Sequence, residues 1–285
     1  MMIRLNEKEF TDIVRFMRET YGINLEKKQI LIECRMSGEL ERRGFSSFGS
    51  YLDKMKEDPS GKMVEELVVR LTTNYTYFMR EPEHFRLLKE KIFPEVFQKN
   101  YGAFYNIWCA GCSTGEECYT LAMLLRDYRD QGAQMPNIRI TASDISEEVL
   151  RKAETAVYPA RELEQLPSEW RQKYCHMENK HQFSIDRELM YNIRFVKQNL
   201  MKPVSEKYDL ILCRNVMIYF DRESRKKLLR QLENTLNPGG YLLIGHAELL
   251  PGYETNLQPE YPAVYKKNRK ENSHEAEESL WKKKL

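Results

Sequence analysis

No apolar run in the 285-residue chain approaches the ~20 residues that a membrane-spanning helix needs. The opening MMIRLNEKEF also lacks the apolar core of a signal peptide. These two absences predict a cytoplasmic protein without direct membrane insertion. Charge of one sign is missing as well: 45 Lys and Arg stand against 43 Asp and Glu. A balance that close gives no global electrostatic case for nucleic acid or membrane binding. Cysteine is sparse and unevenly spaced, and Cys34, Cys118, Cys175 and Cys213 have no partner at CxxC spacing. That argues against a disulfide framework. No internal repeat is present. What remains is an ordinary globular composition and a length that fits about two domains.

Residues from about 6 to 71 carry helical periodicity. Phe10, Ile13, Val14 and Met17 fall on one face, and Asn6 with Glu9 forms a capping-box pattern. A second helix is expected from about Leu25 to Arg42. GFSSFGSYL opens a third, and the turn DPSG (Asp58 to Gly61) precedes a fourth with Met63, Leu67, Val68 and Leu71 aligned. LTTNYTYFMREPEHF reads as a hinge region, followed by a helix from about Glu83 to Val96 with Pro82 near its first turn. From Tyr105 onward, strands alternate with helices. The expected strands are Asn106 to Ala110, Ile138 to Ser143, Asn192 to Lys197, Tyr208 to Cys213 and Tyr241 to Gly245. The expected helices are Glu116 to Arg129, Glu147 to Thr155 and Arg222 to Leu236. This rhythm predicts an α/β, mostly parallel, doubly wound sheet. The stretch from Pro159 to Met190 is too long and polar for one crossover, which suggests a small inserted subdomain. The highly charged end, with Trp281, is expected to be disordered.

YNIWCAGCSTGEE (Tyr105 to Glu117) poses a choice. Cys109 and Cys112 could form a thiol redox pair or half a zinc site, but a redox Cys belongs at a helix start. Here Ser113, Thr114 and Gly115 intervene, and Thr114 with Glu117 fits a capping box that starts the helix after the glycine. No second ligand pair with zinc spacing follows, so no metal is expected. The alternative is a cofactor turn at the end of the first strand, with Gly111 permitting close backbone approach and Gly115 the tight turn. The third glycine of G-x-G-x-x-G is missing, which disfavours a dinucleotide. In ITASDIS, Asp144 ends the second strand, where a carboxylate can accept both ribose hydroxyl hydrogens while Ser146 caps the next helix. A glycine turn and an acidic second strand without a pyrophosphate signature suggest S-adenosylmethionine.

TTNYTYFMRE, STGEE, ASDI, CRNVMIYF and NPGGYLLIGHAE occur in that order. Together they closely resemble the CheR-type chemotaxis receptor methyltransferases, over nearly the whole chain. The resemblance implies a Rossmann-like class I S-adenosylmethionine-dependent methyltransferase. It also implies a small all-helical N-terminal domain (1–72), a methyltransferase domain (73–268) with an antiparallel β-subdomain inserted at about 159–190, and a charged tail (269–285). The implied activity is methyl esterification of glutamate side chains on the cytoplasmic helical signalling region of chemoreceptors, with S-adenosylhomocysteine as product. The enzyme would act as a monomer without nucleic acid. The implied cofactor contacts are Asn74, Thr76, Arg80, Glu117, Asp144, Asn199, Leu200, Arg214 and Asn215, with Arg80 and Tyr219 nearest the transferred methyl. The departures are Met79 for a second Phe, Cys118 for Pro and Ala247 for Ser. YCHMENKHQFSIDREL lacks the Gly-x-Gly turn of members that dock a receptor's C-terminal pentapeptide, which implies a pentapeptide-independent enzyme. The alternative is a catalytically silent cofactor-binding sensor of the same fold. Because receptor methylation helices are acidic, a basic face is expected, with Lys27, Lys28, Arg35, Arg42 and Arg43 as candidates.

Overall fold

The computed structural model describes residues 3–72, 74–99, 102–248, 250 and 255–268. The charged tail and Trp281 lie outside the described residues. Four helices open the chain: α1 (Glu7–Tyr21), α2 (Gln29–Arg42), α3 (Phe48–Lys56) and α4 (Lys62–Leu71). The Asn6 side chain accepts from the Glu9 N–H at 2.9 Å, and the Glu9 carboxylate accepts from the Asn6 N–H at 3.0 Å. This reciprocal pair caps α1 as its sequence predicts. α2 begins later than the pattern suggests. The Asn24 side chain accepts from the Glu26 N–H, and Lys28 N–H closes a turn on Leu25, so an Asx turn diverts the backbone first. Ile13, Met17, Ile32, Met36, Leu40 and Phe48 are fully buried in the core these helices share.

The candidates for a basic face divide: Lys27 and Lys28 are exposed, whereas the three arginines are engaged within the N-terminal helices. Arg35 donates to the carbonyls of Arg70 and Thr72, while Arg42, Arg43 and Arg70 all converge on buried Glu39. The Arg42 bonds and the other two arginines hold the Glu39 carboxyl down at about 2, against the effect of burial. Arg35 and Arg43, which reach Arg70, Thr72 and Glu66, therefore tie α2 to α4, whereas Arg42 pairs within its own helix and stays exposed. The contacts with Glu66, Arg70 and Thr72 depend on partners distant in sequence.

The helix predicted after the hinge runs from Pro82 to Lys99, as α5 (Pro82–Leu87) and α6 (Phe93–Lys99) joined by a π turn at Leu88–Ile92. Next come β1 (Phe104–Ala110), α7 (Glu116–Asp130), β2 (Asn137–Asp144) and α8 (Glu147–Thr155). β3 (Val157–Pro159), α9 (Ser168–Tyr174), β4 (Cys175–Asn179) and β5 (Gln182–Ile185) follow. The chain then gives β6 (Ile193–Lys197), β7 (Tyr208–Cys213), α10 (Arg222–Thr235), β8 (Leu236–Ile244), β9 (Gln258–Tyr261) and β10 (Val264–Lys266). The large sheet has the order β6-β2-β1-β7-β8-β10-β9, with β10 antiparallel to both neighbours and β6, β2, β1, β7 and β8 parallel. β9 and β10 are too short to show a period in the sequence. In β1 every residue from Trp108 to Ala110 is buried. Both faces are covered, which erases the alternation of a half-buried strand. From β1 the chain turns to β2 on one side and later to β7 on the other, which makes the carboxyl ends of these strands the switch point.

The small sheet, β3-β5-β4, is wholly antiparallel. It rests on the hinge segment through Phe78, whose ring lies 4.9 Å from Tyr158, edge to face, and 5.9 Å from Phe183.

Candidate cofactor and methyl-transfer site

The carboxyl ends of β1, β2, β6 and β7 open onto one cavity with an empty volume of about 980 Å³, part of it open to solvent. A concave space at the strand ends with mixed apolar and polar lining suits a small-molecule ligand. Asn74, Thr76, Arg80, Glu117, Asp144, Asn199, Leu200, Arg214, Asn215 and Tyr219 all line it. Residues from four strand ends, the hinge and α7, up to 145 positions apart in the chain, thus meet around one space.

The turn after β1 decides which ligand fits. Gly111 and Cys112 N–H both donate to the Ser143 carbonyl, Ser113 N–H to Asp144 Oδ2 at 2.9 Å, and Gly115 N–H to the Cys112 carbonyl. These four donors are used within the protein rather than turned toward a phosphate. Asp144 is almost fully buried. Its Oδ1 accepts from Ser146 N–H at 3.1 Å, and Ser146 itself caps α8. Burial pushes the Asp144 carboxyl above its ordinary value, against the backbone N–H groups of Ser146 and Ser113. A carboxylate offers about four acceptor positions, more than these backbone donors use. The site therefore fits a neutral diol and a cation better than a phosphate ester.

Two sequence readings of this turn change. The Thr114/Glu117 capping box is absent: Gly115 stands at the helix start, and the Thr114 hydroxyl donates instead to Glu116. Glu117 is drawn away by Arg214, Nη1 to Oε2 at 3.0 Å. Gly111, at φ +83°, is required by protein rather than shown to be required by ligand, because a Cβ there would lie 2.6 Å from Val216 Cγ2. Cys109, Cys112 and Cys118 are buried free thiols. Contact with Cys118 favours the Cys109 and Cys112 thiolates, yet burial and nearby carboxylates leave both thiols above their ordinary value. Protonated, shielded thiols are packing, not nucleophiles.

Arg214 organises one wall. Its guanidinium is fully enclosed and pairs with Glu117 and, at 3.1 Å, with Glu81. It also donates to the Arg80 carbonyl and lies over the Phe85 ring at 5.2 Å. Glu81 additionally accepts from Asn215 Nδ2 and His246 N–H. Burial opposes these bonds, but they and Arg214 hold the Glu81 carboxyl below its ordinary value. Glu81, His84 and His246 could together surround an ion, but Arg214 already supplies the positive charge that Glu81 faces. Burial, then Arg214, lowers the His84 pKa to about 4, so it is neutral near pH 7. Glu248 accepts from the N–H groups of Asn215, Gly245 and Ile218 and pins the loop after β7. Ser113 and Asn215 line the cavity with positive φ of 50° and 59°, and Met79 and Glu81, on either side of Arg80, have 57° and 52°, the kind of strain that surrounding structure must hold in place. Glu81 and Glu248 were not among the sequence candidates. Their motifs were visible, but their partners lie across the fold.

Arg80 is half-buried. It donates to the Tyr75 carbonyl at 2.8 Å and lies 5.7 Å from the Tyr77 ring centre. Asn199 lines the cavity, yet its side chain donates to the Thr20 carbonyl and accepts from Met201 N–H. The end of α1 is held against the sheet in this way. Asn24 N–H donates to the Tyr219 carbonyl, and Ile23 bridges Phe220. Tyr21 and Ile23, from the N-terminal helices, consequently join the cavity lining. No local signal marks them, since their place depends on how the helices pack on the sheet.

This sheet order, with an acidic β2 end and a first turn whose N–H groups face Ser143 and Asp144, defines a Rossmann-like class I methyltransferase that takes S-adenosylmethionine. The chain belongs to the CheR methyltransferase family: residues 74–264 match its SAM binding domain and residues 8–72 its all-alpha domain. The chemotaxis protein methyltransferase of Borreliella burgdorferi is 38% identical over 273 residues, 93% of this chain and 96% of the relative. Chemotaxis protein methyltransferase Cher2 of Pseudomonas putida is 30% identical over 88% of this chain and 93% of its own length. Chemotaxis protein methyltransferase 1 of Pseudomonas aeruginosa is 31% identical over 87% and 91%. No helix among the described residues is long and apolar enough to cross a membrane.

Proposed function

We propose that the protein methylates glutamate carboxylates on the cytoplasmic helical signalling region of chemoreceptors, as a monomer in the cytoplasm. The reading is carried by the convergence of ten motif residues on one cavity in a chain of this family. S-adenosylmethionine supplies a methyl group on a positively charged sulfur, which a carboxylate oxygen can take with the old bonding pair left on sulfur. Asp144 accepts from the ribose hydroxyls through its free lone pairs. Glu117, held on one side by Arg214, accepts from the amino-acid ammonium. Asn74, Thr76, Asn199, Leu200 and Asn215 shape the cavity around the remaining parts. Arg214 keeps Glu117 and the hinge in register.

A glutamate has an ordinary pKa near ~4.3 and is already anionic at neutral pH. No general base is needed, and the task is alignment. Arg80 orients an oxygen of the incoming carboxylate by a charge-assisted hydrogen bond. Tyr219 positions that carboxylate or presents its ring to the cationic methyl. The β4–β5 connection, Asn179-Lys180-His181-Gln182, has no glycine, which supports recognition without a C-terminal pentapeptide. The test is transfer of labelled methyl from the cofactor to a receptor fragment. Label released as methanol by mild alkali is the expected result. Alkali-stable label refutes carboxylate esterification, and tight cofactor binding with no transfer to any receptor would make the protein a sensor.

A further inference from the structure

A second concavity lies between the end of α1 and the outward face of α10, next to the cofactor cavity. Met201, Pro203 and Val204 contribute apolar lining. Five cations, Arg18, Lys207, Lys226, Lys227 and Arg230, face two carboxylates, Glu19 and Glu223. This local excess is larger than the net charge of +2 on the whole chain. Three of the cations are engaged: Arg18 with Glu26 at 3.1 Å, Lys226 with Glu223 at 3.7 Å, and Lys207 with the Asn234 carbonyl. Lys227 and Arg230, three residues apart and so on one face of α10, are exposed and carry no ion pair among the described residues.

The placement of these cations does not serve the helix. Arg222, Arg225, Lys226 and Lys227 all stand in the first half of α10, and its last turn has no basic residue. The helix dipole favours the opposite arrangement. The groove also adjoins the cofactor cavity. A Cβ on Gly22 would lie 2.7 Å from the Phe220 ring and 2.9 Å from the Met201 sulfur. Phe220 lines the cavity and Met201 the groove, so these residues form a shared wall.

We propose that this groove docks an acidic amphipathic helix of the receptor, apolar stripe on Met201 and Val204, carboxylates toward Lys227 and Arg230. The inference rests on the receptor reading above and names where the substrate is held. An apolar lining beside unpaired cations suits such a helix. A nucleic acid backbone has no use for the apolar part. Exposed charges of this kind act through encounter and register, and salt weakens them.

The test compares the full-length protein with the variant Lys227→Glu/Arg230→Glu. Binding of a receptor cytoplasmic fragment is measured by surface plasmon resonance at several salt concentrations, alongside methyl transfer and calorimetry with S-adenosylhomocysteine. The expected result is receptor affinity weakened about tenfold and KM for receptor raised equally, with a flatter salt dependence. kcat at saturating receptor and the affinity for S-adenosylhomocysteine should stay within about twofold, and Lys227→Arg/Arg230→Lys should behave as wild type. Unchanged receptor binding and KM in the reversed variant overturn the docking site and leave the methyltransferase reading intact. Groove-dependent receptor binding by a wild type that transfers no methyl does the reverse. A parallel loss of S-adenosylhomocysteine affinity, or reversal that abolishes only binding to duplex DNA, also overturns the proposal.

Discussion

Replacing Asp144 with Asn keeps the shape of the side chain and removes its charge and one acceptor. In the native site Oδ2 holds Ser113 N–H at 2.9 Å and Oδ1 holds Ser146 N–H at 3.1 Å. An amide can satisfy only one of them, so the other donor is left facing an NH2 group. That costs about 1–3 kcal/mol of folding stability, offset in part because burial already disfavours the carboxylate. Cofactor binding should suffer more. Two hydrogen bonds from ribose hydroxyls to a carboxylate contribute about 1.5–3 kcal/mol each, and the Asn oxygen retains at most one weaker bond. A net loss of about 2–4 kcal/mol corresponds to roughly 30- to 700-fold in Kd. Calorimetry with S-adenosylhomocysteine and its 2′-deoxy analogue checks both size and cause. The wild type should discriminate strongly against the deoxy ligand and the Asn variant only weakly. If a folded Asn variant binds S-adenosylhomocysteine within about threefold of wild type, or both proteins discriminate equally, Asp144 is not the ribose acceptor.

Arg214→Met strands Glu81 and Glu117 and should cost about 3–5 kcal/mol in urea unfolding at neutral pH. The loss should shrink on acidification as Glu117, whose pKa burial raises against the pull of Arg214, takes up a proton. A loss below about 1 kcal/mol would contradict the network's role. Burial, opposed by the Thr114 hydroxyl, raises the Glu116 carboxyl from 4.5 to about 7. The folded state therefore holds a proton that the unfolded state has lost, so this group lowers stability as pH rises from 4.5 to about 7. Glu116→Gln should be more stable than wild type at pH ~8, by on the order of 3 kcal/mol, with the gap closing toward pH ~4.5. Equal urea midpoint differences at both pH values would refute it. Gly111→Ala should destabilise by more than ~1 kcal/mol, since φ is +83° and the new Cβ meets Val216 at 2.6 Å. In a Val216→Ala background the cost should fall but not vanish, and an unchanged cost would argue that the clash is irrelevant. Of the six thiols, Cys34 alone is exposed and should react rapidly with a disulfide reagent in the native protein. Rapid labelling of Cys109 or Cys112 would reopen thiol chemistry.

Much of the fold was legible along the chain. β7 spans Tyr208–Cys213 and α8 spans Glu147–Thr155, matching the strand and helix patterns, because apolar period and capping residues act within a few positions of each other. The Asn6/Glu9 cap and Ser146 cap were legible for the same reason. The Thr114/Glu117 box was not. Both side chains had the right spacing, but Arg214, distant in sequence, attracts Glu117 more strongly than a backbone N–H does. β9 and β10 exist because the edge of β8 needs partners, not because three or four residues carry a pattern.

The sequence by itself determined the cofactor turn, the acidic end of β2, the family and the motif residues that meet at the cavity, since these reside in short motifs whose chemistry is local. The tertiary structure alone decided how those residues are used. It engaged Arg35 with the carbonyls of Arg70 and Thr72 and brought Arg70 onto Glu39. It gave the Asn199 amide to the end of α1, and brought Tyr21 and Ile23 over the cavity. It also left Lys227 and Arg230 facing solvent beside an apolar groove. Charge pairing and burial depend on what lies across the fold within a few ångströms, and such distances are not written in the spacing of residues along a chain.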